Sequence, residues 1–334
     1  MTPAGTTSEV VAAVAAWLVA DDDEPVVVQT SGSSGEPKRV VLSRAAVLAS
    51  VAATERRLGG RGRWLLALPA TYVAGLQVVV RSLVAGRPPA LLEEHGSVAA
   101  AVASGGLDYV SLVPTQLHRM LGDEAETGAL RTFRTVLLGG GPVDPSLRER
   151  AAGAGVTVVA TYGSAETAGG CVYDGVGLDG VGLAVDGDGR LRIAGPMLFD
   201  GYDGDPRLTA QVLVDGWFLT SDAARIDEDG RLHVLGRVDD MVVTGGVNVP
   251  APAVARRLRA HPAVVDVEVL GVPDPEWGNR LVAFVVGALD LIGARDWVAA
   301  EHPRAWAPRQ VVVLPAMPML PNGKPDRVRL RELA

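Results

Sequence analysis

Short apolar runs alternate with longer helix-like stretches from residue 26 to about residue 162. Residues 26–29, 64–68, 109–113, 136–138 and 156–160 have the length and composition of buried strands. Between them, Ser43 is placed to cap a helix running to about Leu58, and Pro114 and Pro145 suit first helical positions. This alternation predicts an α/β fold in which a doubly wound, mostly parallel sheet carries helices on both faces.

From about Val176 to Val238 the pattern changes. DGDGRLRIAG and DEDGRLHVLGR each set an Asp-rich, glycine-closed turn beside alternating residues, which predicts hairpins and a β-barrel-like segment. After the charged stretch Val238-Asp239-Asp240 comes a compact α+β unit. It starts with a strand-like MVVT and a Gly-Gly turn. A helix near residues 253–260, strands at 264–270 and 281–286, and a helix around 294–301 follow. The boundary is placed at Asp239, giving a large domain of residues 1–238 and a small C-terminal domain of residues 239–334.

Composition narrows the function. A chain of 334 residues has room for both domains, and with 48% hydrophobic but only 4% aromatic residues the core is built from Val, Leu and Ala. A net charge of -8 argues against a general nucleic-acid binder. The single cysteine, Cys171, excludes an intrachain disulfide and a cysteine-based zinc site, and fits a reducing, cytoplasmic setting. The first 25 residues show no basic leader. Their apolar stretch is short and flanked by acids, so it reads as an amphipathic helix and neither a signal peptide nor a membrane span.

Four segments carry candidate chemistry. Thr30-Ser31-Gly32-Ser33-Ser34-Gly35-Glu36-Pro37-Lys38 follows a strand. Its glycines let backbone approach a phosphate, and its hydroxyls and lysine suit the oxygens. It lacks Walker A spacing, and such a loop also serves as a plain connection. Thr161-Tyr162-Gly163-Ser164-Ala165-Glu166-Thr167 ends another strand, where ligands of doubly wound sheets bind. Glu166 there suits Mg²⁺, or merely caps the next helix. Asp222 suits ribose hydroxyls and Arg237 a ribose or phosphate, or the two are surface ion-pair residues. Lys324 follows an Asn-Gly turn, where a lysine is commonly only solvated.

In this order the four segments resemble the adenylate-forming superfamily of acyl- and aryl-CoA ligases, peptide-synthetase adenylation domains and luciferase. The resemblance covers nearly all the chain from Gln29 to Arg327. TSGSSGEPK resembles the family's phosphate loop and YGSAET its tyrosine–glycine…glutamate–threonine motif. GWFLTSDAARIDEDGRLHVLGRVDDMVVTGGVN resembles the ribose–hinge segment and LPNGKPDR the C-terminal lysine motif. The resemblance implies ATP, Mg²⁺ and coenzyme A as reactants and cofactor. Thr30, Ser31, Gly32, Ser33, Ser34, Gly35 and Lys38 would cradle the β- and γ-phosphates. Gly139, Gly140 and Gly141 would wall the adenine pocket, with Tyr162 stacked on the base beside Gly163. Thr167 would meet the α-phosphate and Glu166 the metal. Asp222 and Arg237 would serve the ribose, and Asp239 the hinge. Lys324 would act in adenylation, and Gly245 and Gly246 would line the pantetheine tunnel.

Within the superfamily, the short form and the segments PATYVAGLQVVVRSLVAG and YVSLVPTQLHRML look most like o-succinylbenzoate–CoA ligases of menaquinone biosynthesis in their compact actinobacterial form. This implies a small carboxylic acid, o-succinylbenzoate, as substrate. Tyr72 fits the family's aromatic gate. Arg81 suits an aromatic acid bearing a second carboxylate, or is a surface helix residue; Gln77, one turn earlier, shares its face, and Thr115 is a further candidate. The phosphate loop begins near residue 30, earlier than in typical relatives. An N-terminal subdomain is therefore expected to be trimmed, its surface supplied otherwise, as by a homodimer partner. The rivals are another aryl- or acyl-CoA ligase, a carrier-protein-loading adenylation domain, and a non-catalytic nucleotide binder. No acid lies between Pro69 and Ala90 to hold an α-ammonium, which disfavours amino-acid activation.

Overall fold

The computed structural model describes residues 1–30, 37–319 and 325–334, and of Asp239 the backbone only. Ser31, Gly32, Ser33, Ser34, Gly35 and Lys324 therefore lie outside the described residues. Helix α1 (Thr7–Val19) opens the chain. Thr6 caps it through a reciprocal bond with Glu9, and Val10, Val14 and Trp17, one helical face, are buried.

The next elements are β1 (Val26–Gln29), β2 (Arg39–Leu42), α2 (Arg44–Arg57), β3 (Trp64–Leu66), α3 (Val73–Val84), β4 (Ala90–Leu91), β5 (Tyr109–Leu112), β6 (Thr135–Leu138), β7 (Val158–Ser164), β8 (Gly169–Tyr173) and β9 (Val176–Gly177). Ser43 caps α2 as the sequence predicts, accepting from the Ala46 amide at 3.2 Å. Seven strands form one sheet in the order β4-β3-β5-β6-β7-β8-β9. The pairs from β4 to β7 are parallel, and β8 and β9 are added antiparallel. The helices Pro114–Met120 and Pro145–Gly153 start at their prolines.

The strand at 26–29 departs from expectation. It is no member of the parallel sheet but pairs antiparallel with β2, Val26 opposite Leu42 and Gln29 opposite Arg39. The reason is chain length: only residues 30–38 separate the two strands, too few for a parallel crossover, which takes a dozen or more.

Further on lie β10 (Gly182–Val185), β11 (Arg190–Ala194), β12 (Gly201–Tyr202), β13 (Leu213–Val214), β14 (Trp217–Ile226) and β15 (Leu232–Arg237). β12 pairs with β2, setting Tyr202 opposite Val40. The others form a five-stranded sheet of order β10-β11-β14-β13 with β15 along β14. Its two Asp-rich turns are built alike. Asp186 Oδ1 accepts from the amides of Asp188 and Arg190, and Asp227 Oδ1 from those of Asp229 and Arg231. Gly189 and Gly230 supply the positive φ that closes each turn.

The C-terminal elements are β16 (Met241–Thr244), β17 (Val247–Pro250), the helix Ala251–Arg259, β18 (Val264–Asp274), β19 (Gly278–Gly287), the helix Leu291–Ala299 and β20 (Gln310–Val313). β18 and β19 pair antiparallel, β19 and β20 parallel. The chain divides into two compact units. One comprises Met1–Ala184, Arg192–Thr220 and Ile226–Leu232; the other comprises Val185–Leu191, Ser221–Arg225 and His233–Ala334. Leu65, Val110, Leu117, Val136 and Leu138 centre the core of the first, and Val254, Leu258, Val267, Val285 and Val298 that of the second.

Candidate active site

The carboxyl ends of β3, β5, β6 and β7 are held side by side by the residues that leave them. Gln116 accepts from the Val113 amide at 2.9 Å and donates to Ala67 O at 3.0 Å, joining the ends of β5 and β3. The Gly139 amide donates to Leu112 O at 3.1 Å. Thr161 Oγ1 donates to Leu138 O at 3.4 Å. A Cβ on Gly139 would collide with Thr161 Oγ1, and one on Gly163 with the Gly169 carbonyl, so neither position admits a side chain. Gly140 turns at φ 76°, and Gly140 and Gly141 are exposed. Tyr72, at the start of α3, is 45% exposed, Thr115 is exposed, and Tyr162 is half-buried on β7. The structure thus gathers Tyr72, Thr115, Gly139, Gly140, Gly141, Tyr162 and Gly163 at one end of the parallel sheet.

Glu166 and Thr167 occupy a single short turn between β7 and β8, and that turn is tightly determined. Thr167 is fully buried; its Oγ1 accepts from the Ser164 amide at 2.9 Å and donates to Gly169 O at 2.7 Å. Ala168 is left-handed at φ 47°, a conformation that costs a non-glycine residue energy and persists where the surroundings fix it. Its carbonyl accepts from Ser50 Oγ at 3.1 Å and Gln77 Nε2 at 2.7 Å. The Phe199 amide donates to Glu166 O at 2.9 Å. The Thr167 hydroxyl therefore organises backbone, and Gln77 uses its amide nitrogen to brace the same turn.

The Glu166 carboxylate is buried and accepts from the Tyr202 hydroxyl at 2.8 Å. Lys38 Nζ stands 5.1 Å from the centre of the Tyr202 ring, within cation–π reach. Burial, reinforced by the charge and hydrogen bond of Glu166, raises the Tyr202 pKa far above the phenolic range. Thr30 and Lys38 close the base of the β1–β2 hairpin. The Thr30 amide donates to Lys38 O at 2.9 Å and the Lys38 amide to Thr30 Oγ1 at 3.0 Å. Lys38 and Glu166 thus meet around Tyr202, a residue the sequence reading missed. Its one signal is a tyrosine after Gly201, whose φ of 155° and close approach to Thr209 exclude a side chain. No group of three His, Cys, Asp or Glu side chains that could hold a metal occurs among the described residues. A lone carboxylate suits Mg²⁺, which keeps several waters and takes its remaining ligands from substrate phosphates.

Arg81 is 4% exposed, so it is no surface helix residue. Its Nη2 donates to Thr54 Oγ1 at 3.2 Å, and that hydroxyl lies 3.1 Å from the Tyr173 hydroxyl. The guanidinium centre is 5.2 Å from the Trp64 ring centroid. Arg81 makes no ion pair among the described residues. Its Nε and the Oε1 of Gln77, both buried, have no hydrogen-bond partner among the described residues.

The second unit carries the remaining candidates. Asp222 on β14 and Arg237 at the end of β15 are half-buried. Asp239 lies in the short turn Val238–Asp240. Gly245 and Gly246 are the two central residues of the β16–β17 hairpin, at φ 55° and 77°, the left-handed pair that a two-residue hairpin favours. A Cβ on Gly245 would stand 2.6 Å from the Trp277 ring, whereas one on Gly246 would meet nothing within 4 Å. Met319 and Pro325 form a bridge, and the Asp326 amide donates to Pro318 O at 2.9 Å, flanking the segment that contains Lys324. Arg327 Nε is 2.7 Å from Glu268 and its Nη1 2.9 Å from Asp240, next to Asp239.

Comparison with known proteins gives concordant matches. Residues 7–202 match the AMP-binding enzyme family and residues 254–324 the AMP-binding enzyme C-terminal domain. A probable 2-succinylbenzoate–CoA ligase of Mycobacterium tuberculosis is 42% identical over 315 residues, covering 90% of this chain and 82% of the relative. The 2-succinylbenzoate–CoA ligase of Listeria monocytogenes is 31% identical over 323 residues, covering 91% and 68%. The fold resembles that of Bacillus subtilis o-succinylbenzoate CoA synthetase in complex with its acyl-adenylate intermediate (TM-score 0.75, 25% identity, 92% of this chain and 68% of the other). It also resembles the amide bond synthetase of Marinactinospora thermotolerans (TM-score 0.78, 30% identity, 92% and 69%). No helix among the described residues is long and apolar enough to cross a membrane.

Proposed function

The chain belongs to the AMP-binding enzyme family, and from that premise we propose that it is a 2-succinylbenzoate–CoA ligase acting in menaquinone biosynthesis. In the first half-reaction a carboxylate oxygen of the acid attacks the α-phosphorus of ATP and pyrophosphate leaves. In the second the thiol of coenzyme A attacks the acyl carbon, AMP leaves, and the thiol proton passes to solvent. Two anions must approach in the first step, so catalysis rests on positioning and charge stabilisation.

Lys38, at the base of the β1–β2 hairpin, supplies positive charge for the nucleotide phosphates, together with the loop of Ser31, Gly32, Ser33, Ser34 and Gly35. Bound Mg²⁺ would neutralise phosphate charge, and Glu166 is the residue that would hold it. Gly139, Gly140, Gly141 and Tyr162 receive the adenine, and Asp222 and Arg237 the ribose. Thr167 acts by fixing the turn that aims Glu166. Lys324 serves the adenylation step, Asp239 the hinge, and Gly245 and Gly246 the thiol path.

The observation that carries the choice of acid is Arg81: a buried cation with no acidic partner among the described residues, one helical turn from Gln77. A buried charge is costly unless paired, and a second carboxylate on the substrate would pair it bidentately. The similarity to a named amide bond synthetase leaves an amine as the competing acceptor. The test is acid-dependent pyrophosphate release across a panel of acids, followed by acceptor consumption with coenzyme A or amines. The expected result is strongest turnover with o-succinylbenzoate and coenzyme A. Preference for a monocarboxylic acid, or turnover only with amines, overturns the reading.

A further inference from the structure

We propose that Thr54 and Tyr173 are positioning residues that hold Arg81 for the second carboxylate of the acid, and so set the enzyme's preference for dicarboxylic over monocarboxylic substrates. The proposal rests on the acyl-site reading of Arg81 and goes beyond it by assigning two residues on other elements a share in specificity.

Arg81 reaches from α3 to Thr54 on α2, and Thr54 in turn meets Tyr173 on β8. Thr54 is 1% exposed and Tyr173 2%, so neither hydroxyl has solvent to turn to. Since Arg81 Nη2 donates to Thr54 Oγ1, the threonine hydrogen is free for Tyr173; if the tyrosine donates instead, Thr54 Oγ1 accepts from both. Either way the tyrosine fixes the threonine and the threonine fixes one edge of the guanidinium. The Trp64 ring lies 5.2 Å away and limits the remaining freedom. Among the described residues the buried Nε has no hydrogen-bond partner, and neither has Gln77 Oε1 one turn earlier. A guanidinium offers its donors in a rigid planar fork, so fixing one edge fixes where the other points. An arginine already ordered by its neighbours loses less rotamer freedom when a carboxylate arrives.

The test compares kcat/KM for o-succinylbenzoate with that for 4-oxo-4-phenylbutanoate, which lacks the ring carboxylate, in the full-length protein. Arg81→Ala should collapse the ratio of the two. Thr54→Val and Tyr173→Phe should each lower it roughly three- to tenfold, the scale of one lost hydrogen bond, through KM for the dicarboxylic acid. Thr54→Ser should restore it. If Arg81→Ala collapses the ratio while Thr54→Val and Tyr173→Phe leave it unchanged, or slow both acids equally, the positioning role is overturned and the acyl-site reading stands. If Arg81→Ala itself leaves the ratio unchanged, the reading beneath the proposal falls with it. Should Thr54→Val fail to fold, Tyr173→Phe decides, because it leaves the threonine bond to Arg81 in place.

Discussion

The Tyr202 hydroxyl donates to Glu166 Oε1 at 2.8 Å, and the side chain 5.1 Å from the centre of that same ring is Lys38. The tyrosine thus joins the residue suited to the metal with a cation suited to the phosphates. Tyr202→Phe removes only the hydroxyl and leaves a buried carboxylate one bond short. A hydrogen bond to a charged group is worth about 1.5–3 kcal/mol. The expected outcome is a raised Mg²⁺ requirement for adenylate formation and weaker binding of MgATP by calorimetry, with unchanged KM for coenzyme A.

The same pair predicts a pH dependence. Burial, then the charge of Glu166, raises the Tyr202 pKa above its ordinary value of roughly 10. Because the folded value is the higher one, this contribution to stability is complete below pH ~10 and is lost as pH rises beyond it. Denaturant midpoints between pH 9 and 11 should fall more steeply for the wild type than for Tyr202→Phe. Native wild type and native Tyr202→Phe should show the same tyrosinate absorbance, and the two should differ by one tyrosine only once unfolded.

Glu166→Gln preserves size and still accepts the Tyr202 hydroxyl, so the turn should survive. Glu166 is buried, and the fold is retained because the turn is fixed by Thr167, Ser50 and Gln77 through backbone atoms. Pyrophosphate exchange should fall by roughly a hundredfold or more, the scale of one lost electrostatic stabiliser in an active site. Normal exchange at limiting Mg²⁺ would make Glu166 a turn residue and no metal ligand.

Cys171 should be silent in the native enzyme. Burial pushes its thiol up to about 12, so almost no thiolate exists at neutral pH. A thiol reagent at pH 8 should modify it only as fast as the protein unfolds, and Cys171→Ser should keep full activity. The raised value makes this contribution to stability complete below roughly pH 8.5, the ordinary thiol range, and lost as pH climbs toward 12.

Much of this was legible in the sequence for local reasons. Ser43 caps α2, Pro114 and Pro145 start helices, and Gly245-Gly246 forms a two-residue turn because each depends on neighbouring backbone alone. Tyr202 was not legible, because it meets Glu166 across 36 residues and Val40 across a sheet, and no local pattern encodes either contact. From sequence Arg81 reads equally as an acyl-site cation or a surface helix residue; its burial is decided by α2, β3 and β8, which close over it. The strand at 26–29 lies outside the parallel sheet that the alternation predicts, because apolar runs report burial and carry no information on their partner.

The two hairpin glycines make the last prediction, because the structure separates them. Gly245 is glycine for packing: its amide donates to Trp277 O at 3.0 Å, and a Cβ would strike the Trp277 ring, which also stacks with Arg309. Gly246 shares the left-handed backbone but opens onto empty space. A side chain at φ 77° costs on the order of 1 kcal/mol, so Gly246→Leu should destabilise the protein only modestly. If that open space is the thiol's path, Gly246→Leu should leave acyl-AMP formation from ATP and acid intact. Thioester formation from supplied acyl-AMP and coenzyme A should be strongly slowed. Gly245→Leu should instead lower the melting temperature markedly, since the indole must move, and reduce both half-reactions together. Lys324→Ala provides the converse control, losing the first half-reaction and keeping the second. Equal slowing of both half-reactions by Gly246→Leu, with an unchanged melting temperature, would remove Gly246 from the thiol path.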